Sequence, residues 1–391
     1  MCSSDLTAIR RILQSSGAFA DAVEIASDGL GEVDPSVRPP DVVDRASFVA
    51  AIAASGLVGL GGASFPTHIK LSPPPDKAPD CLVINAAECE PYITSDYRAC
   101  LEEPDAIADG ILQVLRYMDI PRAVIGIEDN KPRAAAALAN ALKAAAAREA
   151  DSACRAAAEA AEIRILPTLY PQGAEKMLVH ACTGRTIPTG GLPHDVRVMV
   201  LNVSTVGFIS HYLATGMPLV RRRLTLDGDL AVGPGNYDVP VGLMIADLLA
   251  LTGGTRGEPE KILMGGPMMG VALDRPDTPV IKANNAILVL SGAVAALPAE
   301  TACIRCARCV QACPMRLLPT AIDAAARLED ADLLEPTNPL DCIECGCCSY
   351  VCPAKRHLVQ SIRLGKTILR TAQARKKAED GRRRAAKEVR P

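Results

Sequence analysis

Cys303-x-x-Cys306-x-x-Cys309-x-x-x-Cys313-Pro314 is a run of four cysteines that the chain repeats as Cys342-x-x-Cys345-x-x-Cys348-x-x-x-Cys352-Pro353. Three thiolates at this spacing let one short loop wrap three corners of an iron–sulfur cubane, so the fourth corner needs a ligand from elsewhere. The proline after each run suits a backbone that leaves the cluster loop, because proline fixes φ and has no N–H. The repeated pattern predicts two [4Fe-4S] clusters.

The last cysteine of each run is the expected source of the missing ligand, since in two-cluster ferredoxins it ligates the other cluster. We therefore assign the first cluster to Cys303, Cys306, Cys309 and Cys352. The second cluster takes Cys342, Cys345, Cys348 and Cys313.

Other uses of these cysteines fit the pattern less well. A structural zinc site needs four thiolates in paired Cys-x-x-Cys knuckles and has no use for a third cysteine at the same step. Disulfides need an oxidising compartment, and no signal peptide is recognisable at the start of this sequence. Cys347 lies inside the second run and breaks its step, and we interpret it as a small buried thiol beside the cluster.

Composition excludes some classes of function. The 391 residues are 49% apolar, which is enough for roughly two to four packed domains. Aromatic residues make up 3% of the chain, tryptophan is absent and the formal net charge is −3, so we expect no nucleic-acid partner.

The longest apolar stretches, residues 50–65 and 286–297, are too short or too rich in glycine to span a bilayer, and we expect no transmembrane segment. The remaining cysteines are scattered, which is typical of a reducing compartment.

A glycine-rich segment, Gly56-Leu-Val-Gly59-Leu-Gly61-Gly62-Ala-Ser-Phe65-Pro-Thr-His-Ile-Lys70, is the first candidate for a ligand site. Glycines let the main chain approach a ligand closely and expose N–H groups, and a lysine downstream supplies positive charge for a phosphate. The segment is neither a Gly-x-x-x-x-Gly-Lys-Ser/Thr loop nor preceded by a predicted strand. A flexible hinge is the alternative interpretation.

Polar residues then follow the apolar run Cys81-Leu82-Val83-Ile84, which predicts a buried strand. Asn85, Glu88 and Glu90 come directly after it. Open α/β sheets bind ligands at the carboxyl ends of their strands, so this position favours binding.

Alternating periodicity predicts a parallel sheet covered by helices from residue 101 to residue 200. Helices are predicted over residues 44–54, 105–117, 133–147 and 174–183, and strands over 21–25, 123–127, 163–166 and 196–200. A small α+β module follows, with a helix over 243–251 and strands over 261–264 and 286–290. The spacer 319–334 is predicted as one amphipathic helix, residues 357–370 as another, and the stretch from 366 onward as a basic, partly disordered tail.

Three motifs together resemble a known family. They are Gly-Leu-Val-Gly-Leu-Gly-Gly-Ala-x-Phe-Pro-Thr-x-x-Lys at 56–70, Asn-Ala-Ala-Glu-Cys-Glu-Pro-Tyr-Ile-Thr-Ser-Asp at 85–96, and the double cysteine run ending Cys-Ser-Tyr-Val-Cys-Pro-Ala-Lys. The chain resembles the C subunit of the Rnf complex, which couples electron transfer between ferredoxin and NAD to ion translocation. It is more distantly similar to the flavin-binding subunit of respiratory complex I, although Leu60 and Leu201 replace an arginine and an asparagine of that protein.

The resemblance implies a set of cofactors and residues that bind them. FMN, NAD(H) and two [4Fe-4S] clusters are expected. The residues expected around FMN are Gly59, Gly61, Gly62, Lys70, Asn85, Glu88, Tyr170, Gly173, Asn202 and Thr205. Those expected to face the pyridine nucleotide are Phe65, Glu90 and Glu175.

The resemblance also implies an α/β fold in five segments. Residues 1–40 would be the remnant of an N-terminal barrel-sandwich hybrid domain, 41–221 a Rossmann-like FMN/NAD-binding α/β domain, and 222–298 an SLBB-like β-grasp module. Residues 299–365 would be an α+β two-cluster ferredoxin-like helical domain, and 366–391 a basic tail.

The function implied is electron transfer as the NAD(H)-linked flavin and iron–sulfur subunit of the Rnf complex. Hydride would exchange between NAD(H) and FMN, and single electrons would pass through the clusters. Expected partners are the complex's membrane subunits and ferredoxin-side carriers, at the cytoplasmic face of the inner membrane. Two alternatives stay open: a cobalamin reductase of a bacterial microcompartment, and a non-catalytic iron–sulfur relay.

Overall fold

Two units make up the described residues of this computed structural model, which are 5–14, 17–273 and 275–388. The units are Met1–Ala296 and Leu297–Pro391. Among the described residues, no helix combines the length and the apolar character needed to cross a membrane.

The first unit begins with an antiparallel hairpin of strands β1 (Asp5–Leu13) and β2 (Phe19–Ala26). The strand predicted over residues 21–25 is confirmed within β2. Its partner β1 was missed, because a register shift between Leu6 and Ala8 interrupts the period-two pattern on which the prediction depends.

A four-stranded parallel sheet forms the centre of this unit, as the alternating pattern predicts. Its strands are β3 (Cys81–Ala86), β4 (Ala123–Glu128), β5 (Glu162–Leu166) and β6 (Val198–Asn202), in the order β5-β4-β3-β6. The associated helices are α1 (Arg45–Ala54), α2 (Thr67–Lys70), α3 (Ser95–Glu102), α4 (Pro104–Met118), α5 (Pro132–Arg148), α6 (Ser152–Glu159), α7 (Glu175–Thr183) and α8 (Val203–Thr215). Short 3-10 turns occur at Pro75–Lys77 and Pro193–Val196.

Local sequence explains where these elements begin. Proline occupies the first helical position of α4 and α5, where a missing N–H costs no hydrogen bond. The side chain of Asn202 accepts hydrogen bonds from the N–H groups of Ser204 and Thr205 and so caps α8. β3 and β4 are apolar and buried, as expected for strands covered on both faces.

A mixed five-stranded sheet follows in the same unit, in the order β10-β9-β11-β7-β8. Its strands are β7 (Arg221–Asp227), β8 (Gly235–Pro240), β9 (Lys261–Met264), β10 (Val271–Leu273) and β11 (Ala286–Leu290), with helices α9 (Ile245–Leu251) and α10 (Gly292–Ala295). The strands predicted over 261–264 and 286–290 are confirmed.

The second unit is helical around the two cysteine runs. Its helices are α11 (Arg308–Gln311), α12 (Pro319–Arg327), α13 (Ala331–Leu334), α14 (Cys347–Tyr350) and α15 (Leu358–Glu388), with 3-10 turns at Glu335–Thr337 and Pro339–Asp341. Its core contains Ile322, Leu334, Leu358 and Ile362.

Two predictions for this unit need correction. The spacer 319–334 is two helices, because Glu329 has a positive φ of 54° and Asp330 then caps α13. The basic stretch from residue 366 continues α15 as far as Glu388, so a helix replaces the expected partly disordered tail as far as the described residues reach.

The close crossing of α4 and α8 generates a stability prediction, since it positions the helix that Asn202 caps. A Cβ added at Gly110 would lie 1.9 Å from the carbonyl oxygen of Val206. We expect Gly110→Ala to lower the free energy of unfolding by about 2–3 kcal/mol through overpacking. Urea unfolding followed by circular dichroism measures this. Gly292→Ala, where the nearest atom is 3.9 Å from the added Cβ, is the control, and an equal loss in both variants would contradict the explanation.

Candidate functional site

The cysteines of the second unit line two cavities in the combination that the exchanged-ligand assignment predicts. One cavity is lined by Cys313 together with Cys342, Cys345 and Cys348. A larger and more open one is lined by Cys303, Cys306, Cys309 and Cys352. In each case the fourth cysteine comes from the other run. Cys347 also lines the first cavity, beside the second run.

The thiols line cavities and do not converge on a single metal-ion position. No group of three His, Cys, Asp or Glu side chains in the described residues is arranged to hold a single metal ion. Each thiolate around a cubane binds a different iron, so its sulfurs lie further apart than those around one zinc ion. The donor set and the cavities therefore fit a cluster.

The two runs also share an unusual backbone. Arg305, Ala307 and Arg316 have φ values of 55°, 59° and 53°, and the equivalent residues Glu344, Gly346 and Lys355 have φ values of 57°, 82° and 53°. Left-handed conformation is unfavourable for residues with a side chain, by about 1–2 kcal/mol each. Strain of this kind persists where the surrounding structure requires it, most often at functional sites.

This backbone aims N–H groups at cysteine sulfurs. The N–H of Arg305 donates to Cys303 Sγ at 3.4 Å, and the N–H of Glu344 donates to Cys342 Sγ at 3.3 Å. A third such bond joins the N–H of Leu317 to Cys313 Sγ at 3.4 Å. Hydrogen bonds to ligand sulfur stabilise the thiolate and tune the potential of a bound cluster.

In the first unit, the parallel sheet has its topological switch between β3 and β6. The chain runs from β3 outward through β4 and β5, and then returns to β6 on the other side of β3. Asn85 and Asn202 are register partners at the carboxyl ends of these two strands. Ligands of open α/β sheets bind in the crevice at such a point. The sheet thus brings the two predicted asparagines together where a ligand is expected.

The glycine-rich loop packs against this crevice. A Cβ added at Gly61 would lie 3.3 Å from Asn202 Nδ2, and the N–H of Leu60 donates to Thr205 Oγ1 at 2.9 Å. Gly62 has a φ of 113°, which favours glycine strongly. The N–H of Gly59 is used inside the loop, donating to the carbonyl of Phe65 at 2.8 Å.

Gly173 is hydrogen-bonded to the segment that contains Asn85. Asn85 Nδ2 donates to the carbonyl of Gly173 at 2.8 Å, and the N–H of Gly173 donates to Cys89 Sγ at 3.2 Å. A Cβ at Gly173 would lie 2.2 Å from the carbonyl oxygen of Ala87, so only glycine fits. Burial raises the pKa of the Cys89 thiol to about 11, which makes it a neutral partner here.

Two acids lie beneath the crevice. Glu88 accepts hydrogen bonds from the N–H groups of Asp96 (2.8 Å) and Tyr97 (3.0 Å) at the start of α3. Burial, together with the charge of Asp96, raises the pKa of Glu88 to about 7. Asp96 accepts from Asn202 Nδ2 at 2.6 Å and from Ser204 Oγ at 2.5 Å, and burial raises its pKa.

The remaining predicted residues have protein partners of their own. Lys70 Nζ lies 2.6 Å from Glu175 Oε1, so a predicted phosphate ligand and a predicted nucleotide ligand form an ion pair. Glu90 accepts from the N–H groups of Met268 (3.2 Å) and Met269 (2.9 Å), and burial raises its pKa. Phe65 is exposed and Tyr170 is half-buried.

Sequence reasoning missed several polar residues at this site. Arg222 is buried, and its Nη2 donates to the carbonyl of Leu60. Glu128, at the carboxyl end of β4, pairs with Lys131 at 2.9 Å and is also buried. A signal for Arg222 was available, because it alternates with the apolar Leu224 and Leu226 and period two puts all three on one face of β7.

Comparison with protein families defines the class to which this fold and these sites belong. Residues 52–211 match the Nuo51 FMN-binding domain, and residues 298–353 match the 4Fe-4S dicluster domain. A solved chain of the NAD+-reducing [NiFe]-hydrogenase in the H2-reduced state shares the fold, with a TM-score of 0.56 at 19% identity over 83% of this chain and 63% of that chain. The class is that of proteins combining an FMN-binding domain with a 4Fe-4S dicluster domain.

Curated relatives narrow the class to one family. The chain is 40% identical to the C subunit of the proton-translocating ferredoxin:NAD(+) oxidoreductase complex of Clostridium ljungdahlii, over 92% of this chain and 76% of the relative. It is also 40% identical to the C subunit of the Na(+)-translocating complex of Acetobacterium woodii, over 96% of this chain and 82% of the relative. The chain is also 36% identical to the C subunit of the ion-translocating oxidoreductase complex of Rhodobacter capsulatus, over 93% of this chain and 68% of the relative. The chain belongs to this family of C subunits, and the resemblance seen in the sequence is confirmed.

The raised pKa of Glu88 predicts how stability depends on pH. Above its ordinary pKa of 4.5 the carboxyl loses its proton in the unfolded chain, whereas the folded chain retains the proton up to about pH 7. Stability therefore falls as pH rises through this window. We expect Glu88→Gln to reduce the loss of unfolding free energy between pH 5 and pH 8 by about 2–3 kcal/mol. Denaturant unfolding at both pH values tests this, with the exposed Glu258→Gln as control. Equal pH dependence in the wild type and Glu88→Gln would contradict the assignment.

Proposed function

We propose that this chain works as the electron-transferring C subunit of an ion-translocating ferredoxin:NAD oxidoreductase complex, with FMN, NAD(H) and two [4Fe-4S] clusters. Family membership supports the class of reaction. The observation that carries the assignment to this chain's own residues is the sorting of the cysteines into two cavities, each with its fourth thiol from the other run.

For the clusters, the proposed ligands are the two exchanged sets. Cys303, Cys306, Cys309 and Cys352 would hold one, and Cys342, Cys345, Cys348 and Cys313 the other. The repeated left-handed residues and the N–H bonds to Cys303 and Cys342 support thiolates in these loops.

For FMN, the proposed site is the crevice at the switch between β3 and β6. Its residues are Gly59, Gly61, Gly62, Lys70, Asn85, Glu88, Tyr170, Gly173, Asn202 and Thr205. When bound, FMN supplies hydride exchange with NAD(H) and one-electron exchange with iron–sulfur centres. Asn85 and Asn202 lie together at the crevice. Gly61 lets the loop approach Asn202 closely, Gly173 lets its segment pack on the Ala87 backbone, and Lys70 would supply positive charge for a phosphate.

For NAD(H), we propose Phe65, Glu90 and Glu175 as the facing residues. The exposed ring of Phe65 is free to stack on a nucleotide ring. The carboxylates of Glu90 and Glu175 are engaged with the Met268–Met269 backbone and with Lys70, so they would have to share or exchange those partners.

The same proposal extends to the identity of the smaller domains, to the partners and to the location of the chain. The five-stranded sheet would be the β-grasp module, and the hairpin would belong to a barrel-sandwich hybrid domain. The cluster unit would be ferredoxin-like. The partners would be the membrane subunits and ferredoxin-side carriers, with the chain peripheral at the cytoplasmic face of the inner membrane.

Visible spectroscopy on the reconstituted chain tests the function. We expect a flavin absorption band, bleached by NADH under anaerobic conditions, on top of a broad iron–sulfur absorption. Absence of the flavin band after reconstitution with FMN would refute the proposal and leave the iron–sulfur relay.

The exchanged ligation generates its own prediction. Cys352→Ser should remove the same EPR signal of the reduced protein as Cys306→Ser, and Cys313→Ser the same signal as Cys345→Ser. Iron content should fall by about half in each single variant, because one cluster is lost. Cys347→Ala is the matched control and should keep both signals. Loss of the same signal in Cys352→Ser and Cys345→Ser would show that each run ligates a single cluster.

Lys70 provides the test of the phosphate assignment. We expect Lys70→Ala to weaken FMN binding about tenfold, since a charge-assisted hydrogen bond is lost and Glu175 remains without its cation. Quenching of FMN fluorescence during titration measures the change. Lys77→Ala removes a lysine that pairs with Asp195 and serves as control. Unchanged FMN affinity in Lys70→Ala would place the phosphate elsewhere.

A further inference from the structure

Leu60, in the middle of the glycine-rich loop, has both of its backbone groups held by side chains. Its N–H donates to Thr205 Oγ1 at 2.9 Å. Its carbonyl accepts from Nη2 of Arg222, which comes from β7 of the five-stranded sheet, 162 positions further along the chain. Arg222 lies outside the segment 52–211 that matches the FMN-binding domain.

This contact determines where the next N–H group points. The Leu60–Gly61 peptide is trans, since the only cis peptide among the described residues joins Tyr170 and Pro171. In a trans peptide the C=O and the following N–H point in opposite directions. Because Arg222 holds the carbonyl from one side, the N–H of Gly61 is directed to the other side of the loop.

The N–H groups of Gly61 and Gly62 are available for a ligand. None of the described residues accepts a hydrogen bond from either group. Successive free N–H groups in a glycine-rich turn form a concavity suited to an anion. Asn285, also from outside the matched segment, lies beside this turn, with its Nδ2 3.8 Å from a Cβ added at Gly62.

Arg222 is built into the protein as a buried cation rather than a surface one. The residue is 3% exposed, and its Nε makes no hydrogen bond with any described residue. Burial lowers its pKa to about 10, which leaves it charged at neutral pH, and Asp96 and Glu88 lie close enough to influence that charge. A second cation holds the start of the loop, since Lys282 Nζ donates to the carbonyl of Gly56 at 2.7 Å.

We propose that Arg222 is a positioning residue for the flavin phosphate: by holding the Leu60 carbonyl it aims the Gly61 N–H at the phosphate, and its charge offsets the acids beneath. The inference rests on the proposed function and deepens it. FMN binding then depends on a residue of the five-stranded sheet, and the matched FMN-binding segment is insufficient by itself.

Riboflavin, which is FMN without its phosphate, separates this role from a general structural one. In Arg222→Met we expect FMN affinity to fall about tenfold or more, while riboflavin affinity stays within about twofold of the wild type. Titration of flavin fluorescence with the full chain measures both. Arg222→Lys, which keeps the charge and one donor group, should recover part of the FMN affinity.

The neighbouring Arg221→Met is the matched control, because Arg221 is exposed and pairs with Asp238. Its affinities for FMN and riboflavin should both be unchanged. If Arg222→Met does not fold, Arg222→Gln takes its place, and its loss of FMN affinity is again compared with its loss of riboflavin affinity. An equal fall in FMN and riboflavin affinity, or no fall, overturns the role of Arg222 while the proposed function stands. Failure of the wild-type chain to bind FMN overturns both.

Discussion

The second unit depends on one geometric constraint: a loop with the spacing Cys-x-x-Cys-x-x-Cys can reach only three irons of a cubane. The fourth thiol has to come from a segment whose position is set by the rest of the fold. Cys352 lies six positions before the first residue of α15, and Cys313 lies six positions before the first residue of α12. These two helices pack on each other through Ile322, Leu358 and Ile362. Their packing therefore determines whether either cysteine set is complete, which couples the hydrophobic core of this unit to its proposed cofactors.

Buried charge reinforces the same helices. Asp323 of α12 lies 2.6 Å from Arg356 and 2.8 Å from Arg327, and Lys366 of α15 donates to the carbonyl of Cys342 at 2.6 Å. Burial alone would raise the pKa of Asp323, but its hydrogen bonds, including those from these two arginines, lower that pKa overall. A buried carboxylate that lost its partners would be strongly destabilising, so these contacts specify one arrangement of the helices around the cysteines.

Much of the fold could be predicted from local sequence patterns, whereas the polar contacts between residues far apart in the sequence could not. The strands of the parallel sheet followed from periodicity, and the spacing of the cysteines predicted which of them line each cavity. The break at Glu329 was missed because an amphipathic pattern is continuous across a residue whose left-handed φ depends on its surroundings. Lys70 and Glu175 were both identified, but no pattern indicates that residues 105 positions apart form an ion pair. Arg222 carried a period-two signal, yet its contact with Leu60, which lies 162 positions earlier in the chain, could not be anticipated.

Both candidate sites use main-chain N–H groups directed by backbone that is unfavourable elsewhere. In the cysteine loops, left-handed Arg305 and Glu344 direct their N–H groups at the sulfurs of Cys303 and Cys342. In the glycine loop, Gly62 adopts positive φ and the side chains of Thr205 and Arg222 fix the neighbouring peptide. An N–H group that is already oriented needs no reorganisation when negative charge arrives, so its hydrogen bond contributes more fully to binding. The conformational strain is small for glycine and larger for arginine and glutamate, which is consistent with tighter surroundings at the cysteine loops. On this reasoning both kinds of loop depend on their surroundings for their shape: the glycine loop on the side chains of Thr205 and Arg222, and the cysteine loops on the structure that holds their left-handed residues in place.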